Sequence, residues 1–313
     1  MPRTTLVLAV ALLAVGLGAC SSTQPATSAA DVADRKVRVT TTTNFITDTM
    51  RQIGGDRVQV TGLMGAGVDP HLYKASAGDV GKLRDADLIV YGGLNLEGKM
   101  ADLLDDLAER QTTVAITRDL PRDRLLAPPQ GTAFDYDPHV WFDVGLWQIA
   151  ARTAAAALTA KDPTHAAVYD ANLARYLERL DELDSEVREK IASIPRARRV
   201  LVTSHDAFGY FGRRYDVDVV AIQGISTATE ATTAAIRRVA EIIAARNVKA
   251  AFIESSVPRQ TIDAVLAAAR ERGADVRIGG SLFSDAAGDS GTPEGTYAGM
   301  LRANADTIVQ GLR

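Results

Sequence analysis

The chain has four histidines, and two of them follow the same dipeptide, in Asp69-Pro70-His71 and Asp137-Pro138-His139. Proline fixes its own φ and restricts the residue before it, so each of these imidazoles starts from a loop with few conformations. A donor already aimed loses less entropy when an ion arrives, which is a reason to use this tripeptide for metal ligation. A third histidine, His205 in VLVTSHDAFGYF, follows a strand-like run. Its position matches the place where parallel sheets present ligands, the carboxyl ends of their strands. Cys20 is the single cysteine of the chain, so a metal site in the residues that follow it has to use His, Asp, Glu or backbone oxygen.

Three imidazoles call for a fourth ligand, expected to be a carboxylate from the last strand-to-helix loop. Asp285 in IGGSLFSDAAGD is the first candidate there, and Glu230 in GISTATEAT is the second. The competing role for Asp285 is a cap or an Asx-turn; for Glu230 it is a first-turn acid that favours a helix dipole. Asp69 and Asp137 have two readings as well. Each either accepts from an imidazole N–H and fixes its tautomer or closes an Asx-turn, and the turn is favoured for both. His165 falls in the first turn of a helical pattern, where exposure to solvent is expected, and it is left out of the site.

The elements that must position these groups alternate along the chain. KVRVTTTT, DRVQVTGLM, DLIVYGG and TTVAIT read as strands, with helical patterns between them. A second series, RRVLVTSH, VDVVAIQGI, VKAAFIES and ADVRIGG, repeats the alternation. The predicted fold class is α/β: two lobes, each with a mostly parallel sheet flanked by helices, joined by one long backbone helix. Residues 36–160 form the N-terminal lobe, 161–196 the linking helix from near Pro163 to Pro195, and 197–313 the C-terminal lobe. A helical joint predicts smaller relative motion than a hinge of flexible strands.

The first residues, MPRTTLVLAVALLAVGLGAC, combine a basic start, an apolar run and small residues at the end. Residues 1–19 are therefore read as a signal peptide, because the run is short of the roughly 20 apolar residues of a membrane span. Leu17-Gly18-Ala19-Cys20 resembles a bacterial lipobox. That resemblance makes Cys20 the lipidated first residue of the mature protein and residues 20–35 a flexible tether to the cell membrane. Lys and Arg number 35 against 39 Asp and Glu, a net charge of −4 without a basic cluster, which argues against nucleic-acid binding.

Taken in order, the lipobox, GVDPHLYKASAGDVGKLRDADLIVYGGLNLEGKM, DPHVWFD, TSHDAFGYFGRRY, GISTATEAT, FIESSV and LFSDAAG resemble the TroA-like zinc/manganese solute-binding proteins of bacterial ABC importers. The resemblance spans nearly the whole mature chain. It implies an extracytoplasmic lipoprotein, monomeric and not an enzyme, that holds one divalent ion between two lobes and passes it to a membrane permease. The family's ligand positions carry over onto His71, His139, His205 and Asp285. The chain departs from some zinc-specific members in lacking a His-rich run before its second motif. It departs from manganese or iron members, which commonly have Glu where this chain has His205.

Three imidazoles with one carboxylate suit Zn²⁺ first, and Mn²⁺ second if Asp285 binds through both oxygens. Two other readings predict different behaviour: a surface adhesion lipoprotein with a structural metal, and a zinc metallohydrolase in which water completes the three histidines. Proton competition is expected to weaken binding as pH falls through the usual histidine range, about 6.5. Lys74, Lys82, Arg84 and Glu97 are read as exposed charges on the lobe surface.

Overall fold

The computed structural model describes residues 32–129, 132 and 134–313. The signal peptide, Cys20 and most of the expected tether lie outside the described residues. Within them the chain builds two α/β lobes, as the alternation of patterns predicts. In the first lobe β1 (Val37–Thr41), β2 (Val58–Gly62), β3 (Leu88–Tyr91) and β4 (Thr113–Ala115) form a parallel sheet in the order β2-β1-β3-β4. The helices α1 (Asn44–Gly54), α2 (Ala77–Arg84) and α3 (Ala101–Ala108) make the crossovers. α2 begins on a capping box: the Ser76 hydroxyl accepts from the Asp79 N–H, and the Asp79 carboxylate accepts from the Ser76 N–H.

Two long helices follow. α4 (Val144–Lys161) starts on Asp143, whose carboxylate accepts from the Gly145 and Leu146 N–H groups, and it ends just before Pro163. After one tight turn α5 (Ala166–Ala192) runs for 27 residues, about 40 Å at the usual rise. Tyr169, Tyr176, Leu180, Leu183, Val187 and Ile191 recur at helical spacing and are all buried, so one face of α5 lies against the body of the protein.

The second lobe contains two parallel pairs, β5 (Val200–Thr203) with β6 (Asp218–Ala221) and β7 (Ala250–Glu254) with β8 (Arg277–Leu282), and β5 lies beside β7. α6 (Gly209–Tyr215), α7 (Thr233–Arg246), α8 (Gln260–Glu271) and α9 (Tyr297–Leu312) complete it. The β5 run VLVT is buried at every position, as expected of a strand covered on both faces.

One apolar seam joins these parts. It continues from Val39 and Phe45 through Trp141, Trp147 and the inner face of α5 to Phe208, Tyr297 and Met300. Phe45 packs on Trp141 with ring centres 4.7 Å apart, Phe142 stacks on Phe208 at 4.5 Å and Trp147 stacks on Tyr297 at 5.1 Å. The Tyr297 hydroxyl donates to the Trp141 carbonyl at 2.7 Å, and the Trp141 indole N–H donates to the Ser284 carbonyl at 3.0 Å. Hydrogen-bonded aromatic groups of this size give the lobes a packed joint directly behind the loops that carry the histidines.

The fold corrects three expectations from the sequence. Residues 32–35 are docked rather than free: Val32 is fully buried, and the Arg57 guanidinium donates to the carbonyls of Val32, Ala33 and Arg35. Glu97 is buried, because its carboxylate accepts from the Thr42 hydroxyl and from the Gly92 and Gly93 N–H groups, which replace water. His165 is only partly exposed, with Nδ1 2.9 Å from the buried Asp162 carboxylate.

Candidate metal centre

His71 sits in the loop after β2. The Asp69 carboxylate accepts its backbone N–H at 2.9 Å, closing an Asx-turn around Pro70. His139 precedes α4, and its N–H is accepted by Asp137 at the same 2.9 Å. The repeated tripeptide therefore folds into the same local turn twice. Asp137 also lies 2.7 Å from His139 Nδ1, so at this position the aspartate both makes the turn and orients the ring, with Nε2 left facing the site. Asp69 thus makes the favoured turn without touching its imidazole, whereas Asp137 does both.

His205 follows the carboxyl end of β5. Its Nδ1 lies 2.5 Å from Glu254 Oε2, while Glu254 Oε1 accepts the N–H groups of Ser204 and His205. Reading the sequence does not single out Glu254. Its signal is an acid ending the otherwise apolar strand AAFIE, but its partner is 49 residues away. Asp285 comes from the loop after β8 and is fully buried.

These four side chains meet. One donor atom from each of His71, His139, His205 and Asp285 lies within 4.8 Å of all the others. His71 Nε2 is 3.4 Å from His139 Nε2, Asp285 Oδ1 is 3.5 Å from His139 Nε2, and Asp285 Oδ2 is 3.2 Å from His205 Nε2. A tetrahedral ion with bonds of about 2.0–2.1 Å sets its ligands roughly 3.3–3.4 Å apart, and these three separations match that spacing. His71 is 3 % exposed and the other three 0 %. His205 Nε2 and Asp285 Oδ1 make no well-aligned hydrogen bond despite their burial and have only the close contacts among the four groups themselves, which a cation would replace with coordination bonds. Glu230 is exposed and does not belong to the group.

The electrostatics separate the histidines. Burial, with His139 and His205 nearby, drives the His71 imidazole down to about 3, so it stands neutral and ready to donate a lone pair. For His139 burial acts in the same direction, but Asp137 and Asp285 overcome it and raise the ring to about 9. At His205 burial is likewise outweighed, by Asp285 and Glu254, and the ring is held well above its ordinary value. Burial alone would raise Asp285, yet the three imidazoles hold it well below the usual carboxylate range. The site therefore presents an ionised acid, two rings that carry exchangeable protons and one that does not.

The family model described as "ZnuA: Zinc-uptake complex component A periplasmic" matches residues 39–311. The chain belongs to the ZnuA family. Among its relatives, the "Manganese-binding lipoprotein MntA" of Bacillus subtilis is 43% identical over 311 residues, 99% of this chain and 100% of that protein. The "Zinc-binding protein TroA" of Treponema pallidum is 46% identical over 280 residues, 90% of each chain. A solved structure of periplasmic zinc-binding TroA from Treponema pallidum superposes with a TM-score of 0.86 at 45% identity, covering 88% of this chain and 99% of that one. Membership in the ZnuA family carries the coarse function: this is a metal-binding solute-binding protein of an ABC importer and not an enzyme.

Glu254→Gln tests how much a ZnuA-family ring depends on its orienting acid. Losing such a partner typically costs 10–100-fold in metal affinity. A loss in that range is expected for Zn²⁺, read by competition against a chelator of known affinity. Unchanged affinity would mean that Glu254 serves only the Ser204 and His205 backbone.

Proposed function

We propose that this protein captures a single divalent transition metal outside the cytoplasm through His71, His139, His205 and Asp285, with Zn²⁺ the preferred ion and Mn²⁺ the second, and delivers it to the permease of an ABC importer. The observation that carries the reading is the convergence of four buried donor atoms within 4.8 Å from four separate loops. Three imidazoles favour Zn²⁺; the Asp285 carboxylate, one oxygen toward His139 and the other toward His205, offers the second oxygen that Mn²⁺ would use. Relatives named for manganese and for zinc match at comparable identity, which keeps both ions in play. The lobes divide at 36–160 and 197–313, and the mature protein works as a monomer held at the membrane by lipid on Cys20.

Elemental analysis of gently purified protein, followed by competitive titration with Zn²⁺ and Mn²⁺, tests the metal. Tighter binding of Mn²⁺ would reverse the order. A second measurement separates transport from the structural-metal reading. A carrier folds with and without cargo, so chelation should leave the fold intact, while free Zn²⁺ at 100 times Kd adds about 2.7 kcal/mol of stability and raises Tm. Unfolding on chelation would favour a structural ion. The hydrolase reading has less support, because four protein ligands leave a tetrahedral ion no open position for water.

A further inference from the structure

The four ligands of the proposed site are sealed, so an ion can enter or leave only if something moves. The joint behind them is the packed aromatic seam, with Trp141 and Tyr297 hydrogen-bonded across it. The mouth is held differently. Loop 223–231, between β6 and α7, exposes Gly224, Ala228, Thr229 and Glu230. It is fastened beneath to the His205 segment, where the Gln223 N–H donates to the Ser204 carbonyl and the Gly224 carbonyl accepts from the Asp206 N–H. Toward the other lobe it reaches out through Thr227, whose hydroxyl donates to Asp69 Oδ2 at 2.5 Å, across 158 residues of sequence. Among the described residues no other hydrogen bond joins this loop to the N-terminal lobe.

Asp69 is thereby committed on both oxygens. Oδ1 holds the His71 turn, and Oδ2 holds the loop of the opposite lobe. The same stretch approaches the second lobe again at Gly67, where φ is +70° and a Cβ would come 3.3 Å from the Ser255 carbonyl oxygen. Glycine allows both that backbone conformation and the close approach. A contact between lobes made of one charge-assisted hydrogen bond and one glycine approach is weaker than a seam of buried aromatic rings.

We propose that the Thr227 hydroxyl on Asp69 is the latch of the site: loop 223–231 lifts away from the Asp69 turn to exchange the ion, and Thr227 is a positioning residue that sets the rate of exchange. The latch rests on the proposed metal site and adds to it the path by which the cargo leaves.

The test loads the full chain with Zn²⁺ and follows release into excess chelator. Thr227→Val keeps the shape and removes the hydroxyl; it is expected to take up one equivalent of Zn²⁺ and release it about tenfold faster, the scale of one hydrogen bond to a charged group. Thr227→Ser restores the hydroxyl and is expected to release at the wild-type rate, which a purely structural role for the threonine methyl would not give. Gly67→Ala forces the second contact apart without touching Thr227 and should also speed release. Wild-type release rates in loaded Thr227→Val would overturn the latch alone, as would fast release from Thr227→Ser. Wild-type protein that takes up neither Zn²⁺ nor Mn²⁺ would remove the proposed site, and the latch with it.

Discussion

Between pH 7 and pH 5 the affinity for Zn²⁺ is expected to fall by about four orders of magnitude, because loading displaces a proton from each of two rings and each displaced proton costs tenfold per pH unit. The two rings are His139, raised to about 9, and His205, raised well above its ordinary value. Their neighbouring carboxylates give both rings a proton at neutral pH, and that proton must leave before Nε2 can bind metal. His71, pushed down to about 3, adds no proton over this range. Proton competition is therefore expected to begin above the ordinary histidine range, because the carboxylates beside His139 and His205 raise both rings. Titrations in buffers of different ionisation enthalpy should show about two protons released per ion. Release of none would mean that both rings are already neutral before the ion arrives, and the expected fall in affinity would fail with it.

The same shifts bear on the metal-free fold. A ring whose pKa is about 6.5 unfolded and about 9 folded contributes stability that is fully present below 6.5 and lost as pH rises through 9. Metal-free protein should therefore be less stable at pH 9 than at pH 6.5. The gain from adding Zn²⁺ should be larger at the higher pH, where the ion takes over the role of the protons.

His71→Ala is expected to weaken Zn²⁺ binding by more than about 100-fold, above the 10–100-fold that loss of an orienting partner costs, because a ligand itself is removed. It is the cleanest ligand deletion of the three. His71 is neutral, and its Nδ1 has no hydrogen-bond partner, so truncation leaves no buried charge stranded. The metal-free variant should consequently melt close to wild type. His205→Ala should lose metal to a similar degree but also destabilise the metal-free protein, by on the order of 3 kcal/mol, since it strands Glu254 and Asp285 in the interior. Circular dichroism melts in a chelator, paired with competitive titration, separate the two effects. Full affinity in His71→Ala would reject its assignment.

The parts of this site that can be read from the sequence are those made by neighbours in the chain. Asp-Pro-His is rigid on its own, and both copies close the same turn whatever surrounds them. Strand-like runs ending in SH and SLFSD place His205 and Asp285 at carboxyl ends of parallel strands, where such sheets converge on ligands. Asp285 ranks ahead of Glu230 because it falls in the last strand-to-helix loop, while Glu230 has a ready role as a first-turn acid of a helix, and the family resemblance points the same way. The fold separates them by burial: Asp285 is enclosed and Glu230 is in solvent.

Other features depend on partners far apart in sequence. Glu97 reads as a surface charge until the amides of Gly92 and Gly93 and the Thr42 hydroxyl fold around it. Glu254 gains its role only when β7 is set beside β5, and Thr227 only when the two lobes close over Asp69. The linear chain by itself determined the alternating strands and helices, the long connecting helix and which imidazoles stand as candidates, because dihedral restriction and hydrophobic period act over a few residues. Tertiary structure alone decided which acids lie against them, how burial and charge shift each ring and which loop of the second lobe meets Asp69, because hydrogen bonds across the fold and the loss of water exist only once distant segments are packed together.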